Sequence, residues 1–278
     1  MSAGTSAQSG RPAGARDDGP PPRRVWLWLA GVVVIVASVQ PYSGVQIGPR
    51  PSFVPAMLSL VFGLDLLTAL LLVREFRESG NRRAIALASA YVLSLGVLAG
   101  YAAAFPGVLD PVPPLGAWPS TAPWLWVAWH TGFPVLLAAA VAPWPRRWAH
   151  PVETGVRRRV VWATVGTCLG GAGLIVTAAV TGRSWLPVVI HGLDTSAMTR
   201  VAGPVMLPVV ALSAVVAVVG GMRLSGPVRW AALAAAAALG DVTLTLFSFH
   251  RFSLGWYVGR SLRACQIFLC KWGRPSIG

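Results

Sequence analysis

The chain has 278 residues, of which 55% are hydrophobic and only 12% are charged. A soluble domain carries about 25% charged residues, so this composition excludes an ordinary soluble domain and favours a membrane protein. The formal net charge is +14. Because the arginines lie in short segments between apolar runs, the expected partner is a bilayer with anionic headgroups at its cytoplasmic face, and not nucleic acid.

The N-terminal segment, residues 1–24, is rich in Gly, Pro, Ser and Arg and is predicted to be disordered. It ends in Arg23 and Arg24, after which VWLWLAGVVVIVASV forms a short apolar run. Two arginines before such a run resemble a twin-arginine export signal. Since further apolar runs follow, we interpret this one as a first membrane anchor that is not cleaved.

Apolar runs long enough to cross a membrane recur along the rest of the chain. The predicted fold is all-α, a polytopic transmembrane helix bundle of seven to eight spans. The predicted spans are 25–40, 55–74, 84–105, 123–143, 160–181, 204–222, 230–249 and a weaker 254–270.

The arginines predict the orientation of this bundle. With the N-terminus in the cytoplasm, fifteen arginines fall in the cytoplasmic segments and four in the segments on the opposite side. Cytoplasmic segments of membrane proteins carry this excess of positive charge. The sequence therefore predicts a cytoplasmic N-terminus and a multi-pass membrane protein.

Four ionisable residues lie inside the apolar spans, where a charge is costly and is by default functional or paired. They are Asp65, His130, Asp241 and Arg260. At a rise of about 1.5 Å per residue, all four are predicted to lie about 9–15 Å below the outer boundary of the membrane. We expect them to line one polar pocket that opens, if at all, to the outer face. The predicted signal-sensing pocket consists of these residues and nearby side chains: Asp65, Thr68, Trp129, His130, Asp241, Thr245 and Arg260.

A tight HRFS turn joins the spans that carry Asp241 and Arg260, so an ion pair between these two residues is expected. The alternative for each polar residue is a packing role: a buried Asp or Arg can specify helix contacts, and a His beside Trp can be a hydrogen-bonded core residue. No metal site or cofactor is expected, because the three cysteines and four histidines show no metal-ligand spacing.

Several functional classes fit the sequence poorly. A retinal photoreceptor needs a lysine in the middle of its last helix, and the one lysine, Lys271, lies at the inner end of the weakest span. An intramembrane enzyme needs a catalytic constellation, and neither HExxH nor GxSxG is present. A small transporter remains the alternative, with Asp65 and Asp241 as proton or cation sites, although no repeated halves are evident.

Three long blocks resemble a known family. They are PSFVPA at 51–56, DLLTALLLVREFRESGNRRAIALASAYVLS, and AFPGVLDPVPPLGAWPSTAPWLWVAWHTGFPVLL; a fourth, DVTLTLFSFHRFSLGWYVGR, lies near the C-terminus. Together they are similar to a bacterial membrane-associated sensor domain, the fourth of the MASE classes. The resemblance implies an N-terminal sensory input, normally followed by a GGDEF diguanylate cyclase or a histidine kinase. It implies an unknown small signal, and it leaves homodimer formation open.

The last residues depart from that pattern. We assign residues 25–263 to the membrane-integral sensor domain and residues 264–278 to an atypical tail. This tail reads ACQIFLCKWGRPSIG and holds the one lysine and two of the three cysteines. The hypothesis is a frameshift or truncation near residues 260–264 that leaves no output domain and therefore no enzyme activity; a stand-alone regulator is the alternative.

Overall fold

The computed structural model describes residues 23–115, 118–144, 150–224 and 226–262. The predicted disordered segment, residues 1–24, lies outside the described residues except for its last two. The tail assigned to residues 264–278 lies entirely outside them, and so does the second half of the weak span predicted at 254–270.

The described residues form α-helices joined by short loops, without a β-sheet, which confirms the all-α prediction. Seven of these helices are long and apolar enough to cross a membrane. The helices are α1 (Arg23–Val39), α2 (Phe53–Ser79), α3 (Arg82–Ala104), α4 (Thr121–Val141), α5 (Thr154–Thr181), α6 (Ser196–Val201), α7 (Gly203–Met222) and α8 (Gly226–Ser248). Residues 254–262 are also helical.

The ends of α2 show why hydropathy alone underestimates helix length. The predicted span stopped at residue 74, but α2 continues to Ser79 through a polar turn in which Arg74 and Glu78 form an ion pair at 2.7 Å. Gly80 then adopts a φ of 72° and its N–H bonds to the carbonyl of Phe76, which ends the helix.

Helices α3 and α8 form the centre of the bundle and are its most buried spans. α3 packs against α2, α4 and α5, whereas α8 packs against α7, α4 and α1. Gly96 and Gly100 lie one turn apart on α3, and a Cβ on them would lie 2.5 Å from Ala172 and 2.3 Å from Val176 of α5. This is the small-residue contact by which membrane helices approach closely.

Helices α1 and α5 lie at the periphery and are the least buried spans. Large apolar side chains such as Val33, Val34, Trp162 and Leu174 are exposed on them. Apolar surface of this extent is unfavourable in water, and lipid is the solvent that suits it.

The two ends of the bundle differ in their loops. At one end, named here the pocket end, hydrogen bonds join the loops around residues 43–47, 120, 187–195 and 249–255 to each other. At the other, named the arginine end, arginine side chains bond to backbone carbonyls of neighbouring segments. The cytoplasmic location of the arginine end stays a prediction.

Candidate functional site

A buried histidine–aspartate pair lies between α4 and α8, near the pocket end. Nε2 of His130 lies 2.8 Å from Oδ2 of Asp241, and both side chains are 1% exposed. The ring of His130 stacks on Trp126 at 4.4 Å and meets Trp129 edge-on at 4.5 Å. The histidine that the sequence placed among tryptophans is therefore enclosed by two of them and paired with a carboxylate.

The hydrogen bonds of His130 fix the number of protons on this pair. Nδ1 lies 2.9 Å from the carbonyl oxygen of Trp126, and a carbonyl only accepts, so Nδ1 carries a hydrogen. The contact between Nε2 and Asp241 then needs one further proton, on either atom. The pair has zero net charge in both cases, as an imidazolium with a carboxylate or as a neutral imidazole with a carboxylic acid.

Helix α4 has a structural irregularity beside this pair. Pro134 lies within the helix, four residues after His130. Because proline has no N–H, it cannot donate the usual helical hydrogen bond to the carbonyl of His130. The backbone is thus weakened at the residue that carries the imidazole.

Arg260 reaches the pair through Thr245. The hydroxyl of Thr245 donates to Oδ1 of Asp241 at 3.0 Å, and Nη1 of Arg260 donates to the same hydroxyl oxygen at 3.3 Å. Direct pairing of Asp241 with Arg260 was wrong: among the described residues, the carboxylate pairs with His130 instead. The two residues lie close enough to be joined through Thr245, but the rotation of α8 turns Asp241 toward His130 of α4.

Aromatic rings hold the guanidinium group of Arg260. It lies 4.0 Å from the ring centre of Trp256 and 5.9 Å from that of Trp126, so cation–π attraction compensates part of its desolvation. The neighbouring Gly259 allows the 254–262 segment to approach α8. A Cβ at this position would lie 2.7 Å from Oδ1 of Asp241.

Asp65 belongs to a second, adjoining chain of hydrogen bonds. The hydroxyl of Ser94 donates to Oδ2 of Asp65 at 2.5 Å, and Nε1 of Trp129 donates to the oxygen of Ser94 at 2.5 Å. Trp129 therefore touches both His130 and the Asp65 network. Thr68 bonds to the carbonyl of Leu64 on its own helix at 2.9 Å. Neither Asp65 nor Thr68 is among the residues that line the two cavities described next.

Two small cavities adjoin these residues. The inner cavity, of about 10 Å³, has room for about one water molecule; it is lined by Met57, Tyr101, Trp126, Trp129, His130, Asp241 and Arg260. The outer cavity, of about 20 Å³, shares three of those residues and continues to the loops; its lining includes Ile190, Thr195, Met198, Thr245, Arg251 and Trp256.

Sequence reasoning found the four ionisable residues inside the apolar spans but missed several residues that shape the site. These are Ser94, Tyr101, Trp126, Arg251 and Trp256. Single aromatic or hydroxyl residues in an apolar helix have the same pattern as packing residues, so hydropathy gave no signal for them. No group of three metal-ligating side chains occurs in the described part of the chain.

Comparison with known proteins identifies the domain. The family MASE4, described as a membrane-associated sensor, integral membrane domain, matches residues 50–266, which is most of the chain. The chain belongs to the MASE4 family. No curated protein and no solved structure matches it.

Family membership gives the chain a coarse function. It is an integral membrane sensor domain, as the resemblance of its sequence blocks implied. The MASE4 match includes every residue of the predicted pocket. It identifies a sensor domain and no catalytic domain, and it assigns no role to a particular residue.

Proposed function

We propose that this MASE4 domain is the input part of a bacterial inner-membrane signalling protein, and that a cluster formed by His130, Asp241, Thr245 and Arg260 responds to the cue. The observation that carries this proposal is the buried His130–Asp241 pair at 2.8 Å. It joins α4 to α8, and Thr245 links it to Arg260 on the 254–262 segment.

A cue acts on such a cluster by binding two arrangements of it with different affinity. Separating the pair in a dry interior is unfavourable unless each group gains a new partner. A cue that offers a partner to Arg260 or His130 therefore favours a different position of α4 relative to α8. In a protein with an output domain after this segment, movement of residues 254–262 passes the change onward. The arginine end, in contact with anionic headgroups, holds the rest of the bundle in the membrane.

The test uses the full chain fused to a diguanylate cyclase reporter and expressed in bacterial cells. Cyclic di-GMP is measured while external pH, redox state and ion composition are varied. We expect a cue-dependent output that His130→Gln and Asp241→Asn abolish. The matched controls are His191→Gln and Asp110→Asn, which change exposed loop residues and should leave the response intact. A response that survives in both pocket variants would contradict the proposal.

The transporter alternative makes a different prediction for the same residues. Purified protein in proteoliposomes would carry protons or cations down a gradient, and Asp65→Asn or Asp241→Asn would stop that flux. The sensor proposal expects no flux in the unmodified protein. Flux that either variant abolishes would replace the sensor function by transport.

A further inference from the structure

The outer cavity combines two arginines with two buried polar groups that have no partner. Nε1 of Trp126 and the hydroxyl of Thr195 make no hydrogen bond among the described residues, although Trp126 is 3% and Thr195 is 4% exposed. A buried N–H or O–H without a partner costs about 1–3 kcal/mol, so such groups indicate a ligand or ordered water.

The two arginines of this cavity also form no ion pair with any residue that the structure describes. The guanidinium group of Arg251 lies 4.8 Å from the ring centre of Phe105, and it makes no ion pair within the described residues. Arg260 bonds only to a hydroxyl and a carbonyl oxygen there. Burial lowers the pKa of Arg251; the nearby Tyr101 raises it in part, and the positive charge of Arg260 lowers it. The two cations therefore repel each other across the cavity, while the neighbouring His130–Asp241 pair has no net charge to offset them.

The backbone around Arg251 is held in position. Its N–H donates to the carbonyl of Leu193 at 2.8 Å, and the N–H of Thr195 donates to the carbonyl of Phe249 at 2.8 Å. Phe249 and Phe252 adopt φ values of 56° and 61°, a conformation that is strained for aromatic residues. These hydrogen bonds thus hold both Arg251 and Thr195 in the lining of the outer cavity.

We infer that the outer cavity binds a small monovalent anion, of the size of chloride or formate. An anion there accepts hydrogen bonds from Trp126 and Thr195 and neutralises the repulsion between Arg251 and Arg260. The cavity has room for one or two water-sized groups, which suits a small monovalent anion better than a phosphate ester or a lipid headgroup. As the identity of the cue, this anion rests on the proposed sensing function; as a binding site, it stands independently.

The test measures binding on the full chain in lipid nanodiscs at constant ionic strength. Sodium gluconate, whose anion is too large for the cavity, is replaced stepwise by sodium chloride, sodium formate or sodium sulfate. Chloride and formate should raise the thermal unfolding midpoint by about 3–5 °C at tenfold excess over Kd, and sulfate should not. Broadening of the ³⁵Cl resonance by the protein reports chloride binding without unfolding it.

Variants separate the site from general salt effects. Arg251→Gln and Thr195→Val should each lower the affinity for chloride at least tenfold, whereas the exposed controls Arg183→Gln and Thr177→Val should leave it unchanged. The anion site would be overturned if chloride had the same affinity for all four variants, or if sulfate raised the unfolding midpoint as much as chloride does. An absence of ³⁵Cl broadening would also overturn it. Anion binding with no change in the reporter output would keep the site and remove the anion as the cue. A cue-dependent output without anion binding would keep the proposed function alone.

Discussion

Arginines at the two ends of the bundle differ in how many backbone carbonyls they bond to, although Arg83 at the arginine end also lies over the ring of Trp144 at 5.6 Å. At the arginine end, Arg157 donates to the carbonyls of Arg77 and Glu78, and Arg83 donates to the carbonyl of Val141. These carbonyls belong to the last turns of α2 and α4, where backbone acceptors have no helical partner. At the pocket end, Arg251 and Arg260 lie against aromatic rings, and Arg260 also donates to the hydroxyl of Thr245 and to the carbonyl of Trp256.

This difference separates structural cations from candidate ligand-binding cations. A guanidinium group that satisfies helix C-termini stabilises the fold and has few donors left for a ligand. The guanidinium group of Arg251 donates no hydrogen bond to a described residue and keeps its N–H donors, because cation–π contact uses the charge and not the hydrogens. Net charge alone does not distinguish the two ends; the partner of each guanidinium group does.

The largest expected effect concerns the His130–Asp241 pair, which has no counterpart among the contacts described at the arginine end. Asp241→Ala leaves His130 and Thr245 without their acceptor, and we expect a loss of about 3–5 kcal/mol in the free energy of unfolding. The double variant with His130→Ala should lose clearly less than the sum of the single variants. Thermal unfolding in detergent measures all three. Additive losses would mean that the two side chains do not interact.

A smaller effect is expected where residues 254–262 approach α8. In Gly259→Ala the new Cβ would lie 2.7 Å from Oδ1 of Asp241, and we expect a loss of about 1–3 kcal/mol from overpacking. Gly166→Ala is the matched control, since nothing lies within 4 Å of a Cβ there; it should be neutral or stabilise α5 by about 0.5–1 kcal/mol. Equal unfolding midpoints for the two variants would contradict the close approach.

Arginine variants compare the two ends directly. Arg157→Gln loses its bonds to the carbonyls of α2, and we expect a loss of about 1–2 kcal/mol. Arg251→Gln should change stability by less than about 0.5 kcal/mol, because its side chain donates no hydrogen bond to a described residue. The exposed Arg158→Gln serves as the control. Chemical denaturation measures the three, and a larger loss for Arg251→Gln than for Arg157→Gln would reverse the assignment of the two ends.

The smallest effect is expected in the loop at the pocket end. The backbone N–H of Ser196 and then its hydroxyl hold the pKa of Asp194 below its ordinary value of 3.8. A carboxyl with a lowered pKa stabilises the folded state fully above its ordinary pKa, and this contribution is lost as the pH falls through the folded value. The thermal unfolding midpoint should therefore decrease slightly when the pH is lowered below about 4. Asp194→Asn should remove this part of the decrease. An unchanged pH profile in the variant would show that these hydrogen bonds do not matter for stability.

Most of the fold could be predicted from the sequence because lipid imposes a simple rule. Each spanning segment must satisfy its backbone hydrogen bonds internally, so long apolar runs become helices. The seven helices that hydropathy predicts before the weaker last span are all present. The polar turns of α2 and the short helix α6 escaped prediction because hydropathy marks only the apolar part of a helix. The six-residue α6 matters nonetheless, since Met198 on it and Thr195 beside it line the outer cavity.

The site was predictable in its depth but not in its pairing. The fixed rise per residue of a helix predicted a similar depth for Asp241, His130 and Arg260. Their partners depend on the rotation of each helix about its axis, which the hydrophobic pattern of a nearly uniform apolar span does not define. Arg251 was assigned to a loop outside the bundle, and nothing in its local sequence shows that the loop turns back to cover the cavity.

Pro134 makes the position of His130 the point at which α4 can bend most easily. From His130 to Val141 the helix α4 is about 16 Å long, so a bend of about 5° at the weakened backbone moves its far end by about 1.4 Å. That end is in tight contact: the carbonyl of Val141 accepts from Arg83, and its side chain fills the space beside Gly220 of α7. A bend of α4 at His130 would therefore shift the contacts at the far end of the helix, where α3, α4 and α7 meet.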